Sequence, residues 1–538
     1  MCLQVLGALS QTRLSFMRAL LRDINNWHFS RPVWEINAAG VGHAVYEARG
    51  LQHVYSLVVF SHNLSAQQRS DRVIAEAWDA TFTLFDGVPT KDDLQRLRTQ
   101  VPLQEAGRND CRQFVLSRAN RSVRLFESVV DALAAGQQPD EKHLQAVGYL
   151  MRTTAVYGNG KFGIADRARV AERIEFAAPF RVEMLAVWLF RAFPVDLVEH
   201  MALARSPQAV RLSIAARRQL GIGNSTGLGM APFLISHPVL LHHWILARET
   251  ALARVRAISV ATPQTRACFV DVLKRARRDV ALWTVDDGQH KITPLAADLH
   301  RIDQPLMKGL LHCQRPWDLL YRWADDHMQT EGREMLVSLI LEPHGELVDD
   351  LTGDMAYDEA QTFVINGKTT VTETLARLQL QYDWIWRCDF SDKDESARFW
   401  YTSEEKMEPR LGERFSEPGA GQELPLAIMR DMQSFWCDLK VTDGSSTLAS
   451  FLLAYPQHRH VARREQIVAR FPYGEIQDNL ISATMRPLDL LRCKLSFFGA
   501  TCFSPRSDRW LRVNMYAGAP YPHEINSLPS DGWVWSAA

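Results

Sequence analysis

The chain has no Cys-x-x-Cys pair, no stretch of 18 uncharged apolar residues, almost no net charge and no internal repeat, and each absence removes a class of function. The eight cysteines, from Cys2 to Cys502, are far apart, which excludes zinc ribbons and dithiol redox motifs and reads as reduced, mostly buried thiols in a reducing compartment. The most apolar window, Met184 to Phe193, carries Arg191 and runs into Pro194, so no membrane span is expected. Lys plus Arg number 61 against 62 Asp plus Glu, so no global field draws the chain to nucleic acid or anionic lipid. There is no His-Glu-x-x-His, and the acidic turn His344, Glu346, Asp349, Asp350 and Asp354 lacks calcium-loop spacing, so no metal site is expected. The first 21 residues hold Arg13 and Arg18 and no small-residue cleavage site, so they read as an amphipathic helix and the expected location is cytoplasmic.

What is present is an ordinary globular composition, 46% apolar and 23% charged, over 538 residues, enough for two or three domains. Pro32–Ile36, Gly42–Glu47 and His53–Ser61 alternate β-branched and aromatic residues between glycines, a pattern for an antiparallel meander. Thr90 is placed to cap a short helix with Asp92 and Asp93 in its first turn. Leu116, Ala119, Val123, Phe126, Val130 and Leu133 recur at spacings of three and four, which predicts one helix over 110–135 with Arg118, Arg121 and Arg124 on a solvated face. Further helices are expected at 141–156, at 179–204 with a kink near Pro194, at 207–219, 238–258, 263–283 and 317–341.

The densest backbone signal is Gly221 to Pro232, with Gly221, Gly223, Gly227 and Gly229 between two predicted helices. Each glycine costs roughly 0.5–1 kcal/mol relative to alanine, so four together call for a close approach or positive φ. Gly223-Asn224-Ser225-Thr226-Gly227 matches the nucleophile elbow of serine hydrolases, without the upstream strand that an elbow needs. The glycines also loosely match a dinucleotide fingerprint, again without its strand. A third reading is a nest of backbone N–H groups before a helix N-terminus, suited to a carboxylate or phosphate, with Ser225 and Thr226 as hydroxyl donors. A plain helix connection is the fourth.

A second cluster, Tyr157 to Gly163, contains Asn159 and Lys161 and would supply a cation if the two clusters meet; His237 follows the first cluster and is placed for proton transfer. The expected fold is α+β, mainly helical: an N-terminal α+β portion with a meander (1–104), a central helical body carrying the glycine-rich loops (105–344) and a C-terminal α+β portion (345–538). The expected function is a cytosolic enzyme of unassigned reaction acting on a small anionic metabolite. Its ligand would rest on Gly221, Gly223, Asn224, Thr226, Gly227, Gly229, Tyr157 and Asn159, with Lys161, Ser225 and His237 in catalytic roles. The alternatives are a non-catalytic scaffold or ligand sensor with structural glycines, and a serine hydrolase using Ser225. No cofactor is assigned, and self-association is compatible with the sequence.

Overall fold

The computed structural model describes residues 12–69, 77–104, 111–158, 170, 173–178, 181–227, 238–282, 289–352, 365–382, 386, 400–403, 408–411, 424–459, 461–462, 505–507, 510–527 and 533–534. The chain forms two compact units, one of residues 4–226, 247–356 and 495–538, the other of 1–3, 227–246 and 357–494.

The larger unit is built on a nine-stranded sheet in the order β1-β2-β3-β4-β5-β6-β7-β11-β10. Its strands are β1 (His28–Ile36), β2 (Gly42–Arg49), β3 (Val54–Ser61), β4 (Ala80–Asp86), β5 (Gln113–Arg121), β6 (Tyr149–Gly158), β7 (Gly221–Gly227), β10 (Pro505–Ser507) and β11 (Trp510–Met515). Each strand from β1 to β6 pairs antiparallel with the next, and β6 pairs with β7 in parallel, Tyr149 opposite Gly221 and Arg152 opposite Gly223. One face is covered by the Arg181–Phe190 helix, every residue of which is buried, with Phe190 stacked on Phe82 at 4.1 Å. Against the other face, Leu97 of the Lys91–Gln100 helix packs with Val45, Val58, Phe60, Phe85 and Leu116. That helix starts in a capping box: Thr90 Oγ1 accepts from Asp93 N at 3.1 Å and Asp93 Oδ2 accepts from Thr90 N at 3.0 Å.

This sheet overturns the mainly helical expectation. The fold is α+β, but β5, β6 and β7 run through the middle of residues 105–344, where a helical body was expected. Gln113–Arg121 is a strand, and only Phe126–Ala134 of the expected 110–135 helix is helical. The reason is burial on both faces: eight of the nine β5 residues are buried, so the strand shows no alternation, and its apolar residues fell by chance into helical spacing. Val123, central to that spacing, is 51% exposed in the turn between the two elements. Arg121 is likewise not on a solvated face; it is buried, 3.7 Å from Asp79, with its guanidinium 4.6 Å over Phe126. The helix expected over 141–156 stops at Val147, where Gly148 adopts φ 74°, and the chain enters β6. The break near Pro194 is present, between Arg181–Phe190 and Ala192–Arg205.

The remaining helices of this unit include Pro263–Leu282, Pro316–His327 and Thr330–Leu341. The acidic turn after them is tied down by arginine: Asp349 takes Arg13 through both oxygens at 2.8 and 2.5 Å, and Asp350 takes Arg254 at 3.2 Å. Of the described cysteines, Cys111, Cys313 and Cys437 are exposed and Cys268 is partly buried, against the expectation of mostly buried thiols.

The smaller unit holds the helices Val371–Tyr382, Leu424–Lys440 and Leu448–Ala454 and the antiparallel pair β8 (Trp400–Ser403) and β9 (Glu408–Leu411). Its core joins Val371, Leu378, Met432, Phe435, Leu439 and Phe451. His458 is buried with Nε2 2.7 Å from Asp438 Oδ2.

Candidate functional site

The glycine segment is a strand rather than a helix-to-helix loop as far as Gly227, and Gly221 and Gly223 are explained by close packing. A Cβ on Gly221 would lie 2.5 Å from the Met515 carbonyl oxygen, and one on Gly223 would lie 2.5 Å from the Tyr149 ring. Neither has a positive φ, and the Gly221 amide donates to Gly148 O, just before β6, at 2.8 Å. Asn224, Ser225, Thr226 and Gly227 continue the same strand, so Ser225 does not sit on a strand-to-helix elbow. Tyr157 is in β6, the parallel neighbour of β7, so the two glycine clusters begin on adjacent strands. Asn159, Lys161, Gly229 and His237 lie outside the described residues.

The geometry that could hold a ligand lies elsewhere in the larger unit. A cavity of about 240 Å³ opens between β1, β2, the Ala192–Arg205 helix and the turn at Tyr521–His523. The Phe29, Leu189, Ala192 and Val195 side chains give it an apolar wall, while Arg31, Glu47, Asp196, Arg217 and His523, with the Tyr46 and Tyr521 hydroxyls, supply polar groups.

Alternation along β1 and β2 directs Arg31 and Tyr46 toward the helix layer, where both meet one carboxylate oxygen. Asp196 Oδ2 lies 2.7 Å from Arg31 Nη1 and accepts from the Tyr46 hydroxyl at 2.8 Å. Burial, and after it the Asp196 charge, pushes the Tyr46 hydroxyl well above its ordinary value, so this tyrosine stays a neutral donor. Desolvation opposes the Arg31 charge, yet Asp196 and Tyr46 outweigh it and hold the guanidinium above its usual value. Arg217, from the Ile214–Gln219 helix that leads into β7, donates from Nη2 to Glu199 Oε1 at 2.6 Å, and its Nε–H is buried with no acceptor among the described residues. His523 is exposed and stacks on Tyr521 with centroids 6.0 Å apart.

Beneath the cavity, Arg191 binds Leu220 O at 2.7 Å and Ala519 O at 2.6 Å, and Tyr521 OH donates to Arg217 O at 2.9 Å. These bonds fix the C-terminal turn against the start of β7. A second polar cluster, in which Arg173 binds Asp86 at 2.8 and 2.6 Å and Tyr55 and His53 share Glu175 Oε1 at 2.5 and 2.8 Å, is internally satisfied and ties Arg173–Phe176 to β3. Among the described residues no group of His, Cys, Asp and Glu is arranged to hold a metal ion, and no described helix is long and apolar enough to cross a membrane.

Scans against protein-family models, curated proteins and solved structures return no match to this chain. Sequence reasoning missed the cavity because Arg31, Asp196, Arg217 and Tyr521 share no local pattern.

Proposed function

We propose that the chain binds a small carboxylate-bearing metabolite in the cavity between β1, β2 and the Ala192–Arg205 helix. The observation that carries this reading is the pair of lining arginines with donors to spare: Arg31 shares its guanidinium between Asp196 and Tyr46, and Arg217 gives Nη2 to Glu199 while its Nε–H has no acceptor among the described residues. A guanidinium has five N–H donors, and a carboxylate is the planar acceptor that matches its fork. The size limits the ligand as well. About 240 Å³ is below the roughly 300–1,000 Å³ usual for drug-sized and cofactor sites, which disfavours nucleotides. Asp196 in the lining and Glu199 behind Arg217 disfavour a doubly charged phosphate relative to a carboxylate.

The test is calorimetric titration of the full chain with a panel of small aliphatic and aromatic carboxylates beside inorganic phosphate. Removing a charge-assisted bond costs roughly 1.5–3 kcal/mol, so Arg217→Gln is expected to weaken carboxylate binding at least tenfold. Absence of binding to any carboxylate at millimolar concentration, or equal binding by Arg31→Gln and Arg217→Gln, would remove the cavity as the site. Turnover is a second reading, supported by His523, which lines the cavity from an exposed position and carries an imidazole that can donate and accept a proton. His523→Gln separates the two: an enzyme would lose rate and keep binding.

A further inference from the structure

We infer that the ligand of this cavity is a zwitterion, an α-amino acid with an apolar side chain; this rests on the proposal that the cavity takes a carboxylate. Asp196 is the decisive group. Both of its partners among the described residues, Arg31 Nη1 at 2.7 Å and Tyr46 OH at 2.8 Å, are on Oδ2. Oδ1 takes no hydrogen bond among the described residues, although the side chain lines the cavity and is only 28% exposed. Glu47 also lines the cavity, with Oε2 paired to Arg49 Nη2 at 3.1 Å, so a second carboxylate adds to the attraction for a cationic group.

A simple carboxylate would use the spare donors of Arg31 and Arg217 while lying against the Asp196 charge, with Oδ1 stripped of water and left unpaired. An α-ammonium group placed on Oδ1 removes both penalties. The two charges of an amino acid are separated by a single carbon, and Arg31 and Asp196 are themselves in contact, so one ligand backbone spans the cationic and anionic donors of the lining. The third substituent then meets Phe29, Leu189 and Val195, an apolar wall. A cavity of about 240 Å³ is the size for a single small amino acid.

The experiment titrates the full chain with L-leucine, with 4-methylpentanoate, which is leucine without its amine, and with 3-methylbutylamine, which is leucine without its carboxylate. Leucine is expected to bind at least tenfold more tightly than either, and Asp196→Asn, which keeps an acceptor for Tyr46, is expected to bring leucine and 4-methylpentanoate to within about threefold of each other. If 4-methylpentanoate binds the unmodified chain as tightly as leucine, the zwitterion inference fails and the carboxylate site stands. If the amine binds as tightly as leucine, or if none of the three binds while other carboxylates do, the inference also fails. If no carboxylate of any kind binds, the site itself fails with it.

Discussion

The Arg191 guanidinium lies 4.0 Å over the centre of the Tyr521 ring, joining the break between two core helices to a turn near the end of the chain. The contact is fully buried, and burial pushes the arginine below its ordinary value, yet two carbonyl oxygens and the ring hold the charge in place. Without this arginine the Ala519 carbonyl loses its donor and Leu220 O keeps only the Tyr521 hydroxyl, at 3.4 Å.

Arg191→Ala is therefore expected to destabilise the larger unit by about 3 kcal/mol or more, because each buried carbonyl left unpaired costs about 1–3 kcal/mol and the desolvated cation–π contact about 2 more. Urea titration followed by tryptophan fluorescence measures it. A loss under about 1 kcal/mol would show that the C-terminal turn is held by other contacts.

Gly223→Ala places a methyl against the Tyr149 ring, 2.5 Å away, and overpacking of this kind typically costs about 1–3 kcal/mol. The double variant with Tyr149→Leu is expected to recover most of the loss, since the smaller side chain vacates the space. A glycine retained for a ligand would show the opposite pattern: normal stability in the single variant and no rescue in the double.

Phe126→Ala should cost about 3–5 kcal/mol, because the ring is fully buried and carries the Arg121 guanidinium on its face. Val123→Ala, three residues earlier and half-exposed, should stay within about 0.5 kcal/mol. Were residues 110–135 one helix with a single apolar stripe, both changes would destabilise the fold.

Asp279, near the end of the Pro263–Leu282 helix, is pushed up to about 7 by burial. A carboxyl whose folded value is raised binds its proton more tightly in the folded state, so its contribution is fully present below about pH 4 and is lost as pH rises toward 7. Asp279→Asn is expected to flatten the fall in stability between pH 4 and 7 by an amount on the order of a few kcal/mol, read from denaturation midpoints at each pH. An unchanged pH profile in the variant would mean that the carboxyl is hydrated in the folded state.

Where neighbours in sequence are also the physical cause, the sequence alone determined the element. Thr90 and Asp93 cap a helix through bonds spanning three residues, and Val54–Ser61 pairs with the strand before it across a short turn. Proline at the first turn opens the Pro238–Arg256 and Pro263–Leu282 helices for the same local reason. Tertiary structure alone decided β5, β6 and β7. A strand covered on both faces loses the period-2 signature, and Gly221 and Gly223 of β7 are required by Met515 and Tyr149, residues that no window around Gly221 contains. The cavity was beyond sequence for a related reason: Arg31, Asp196, Arg217 and Tyr521 come from a strand, two helices and a returning chain end, and only the sheet order that brings β7 beside β11 lets the last of them meet the others.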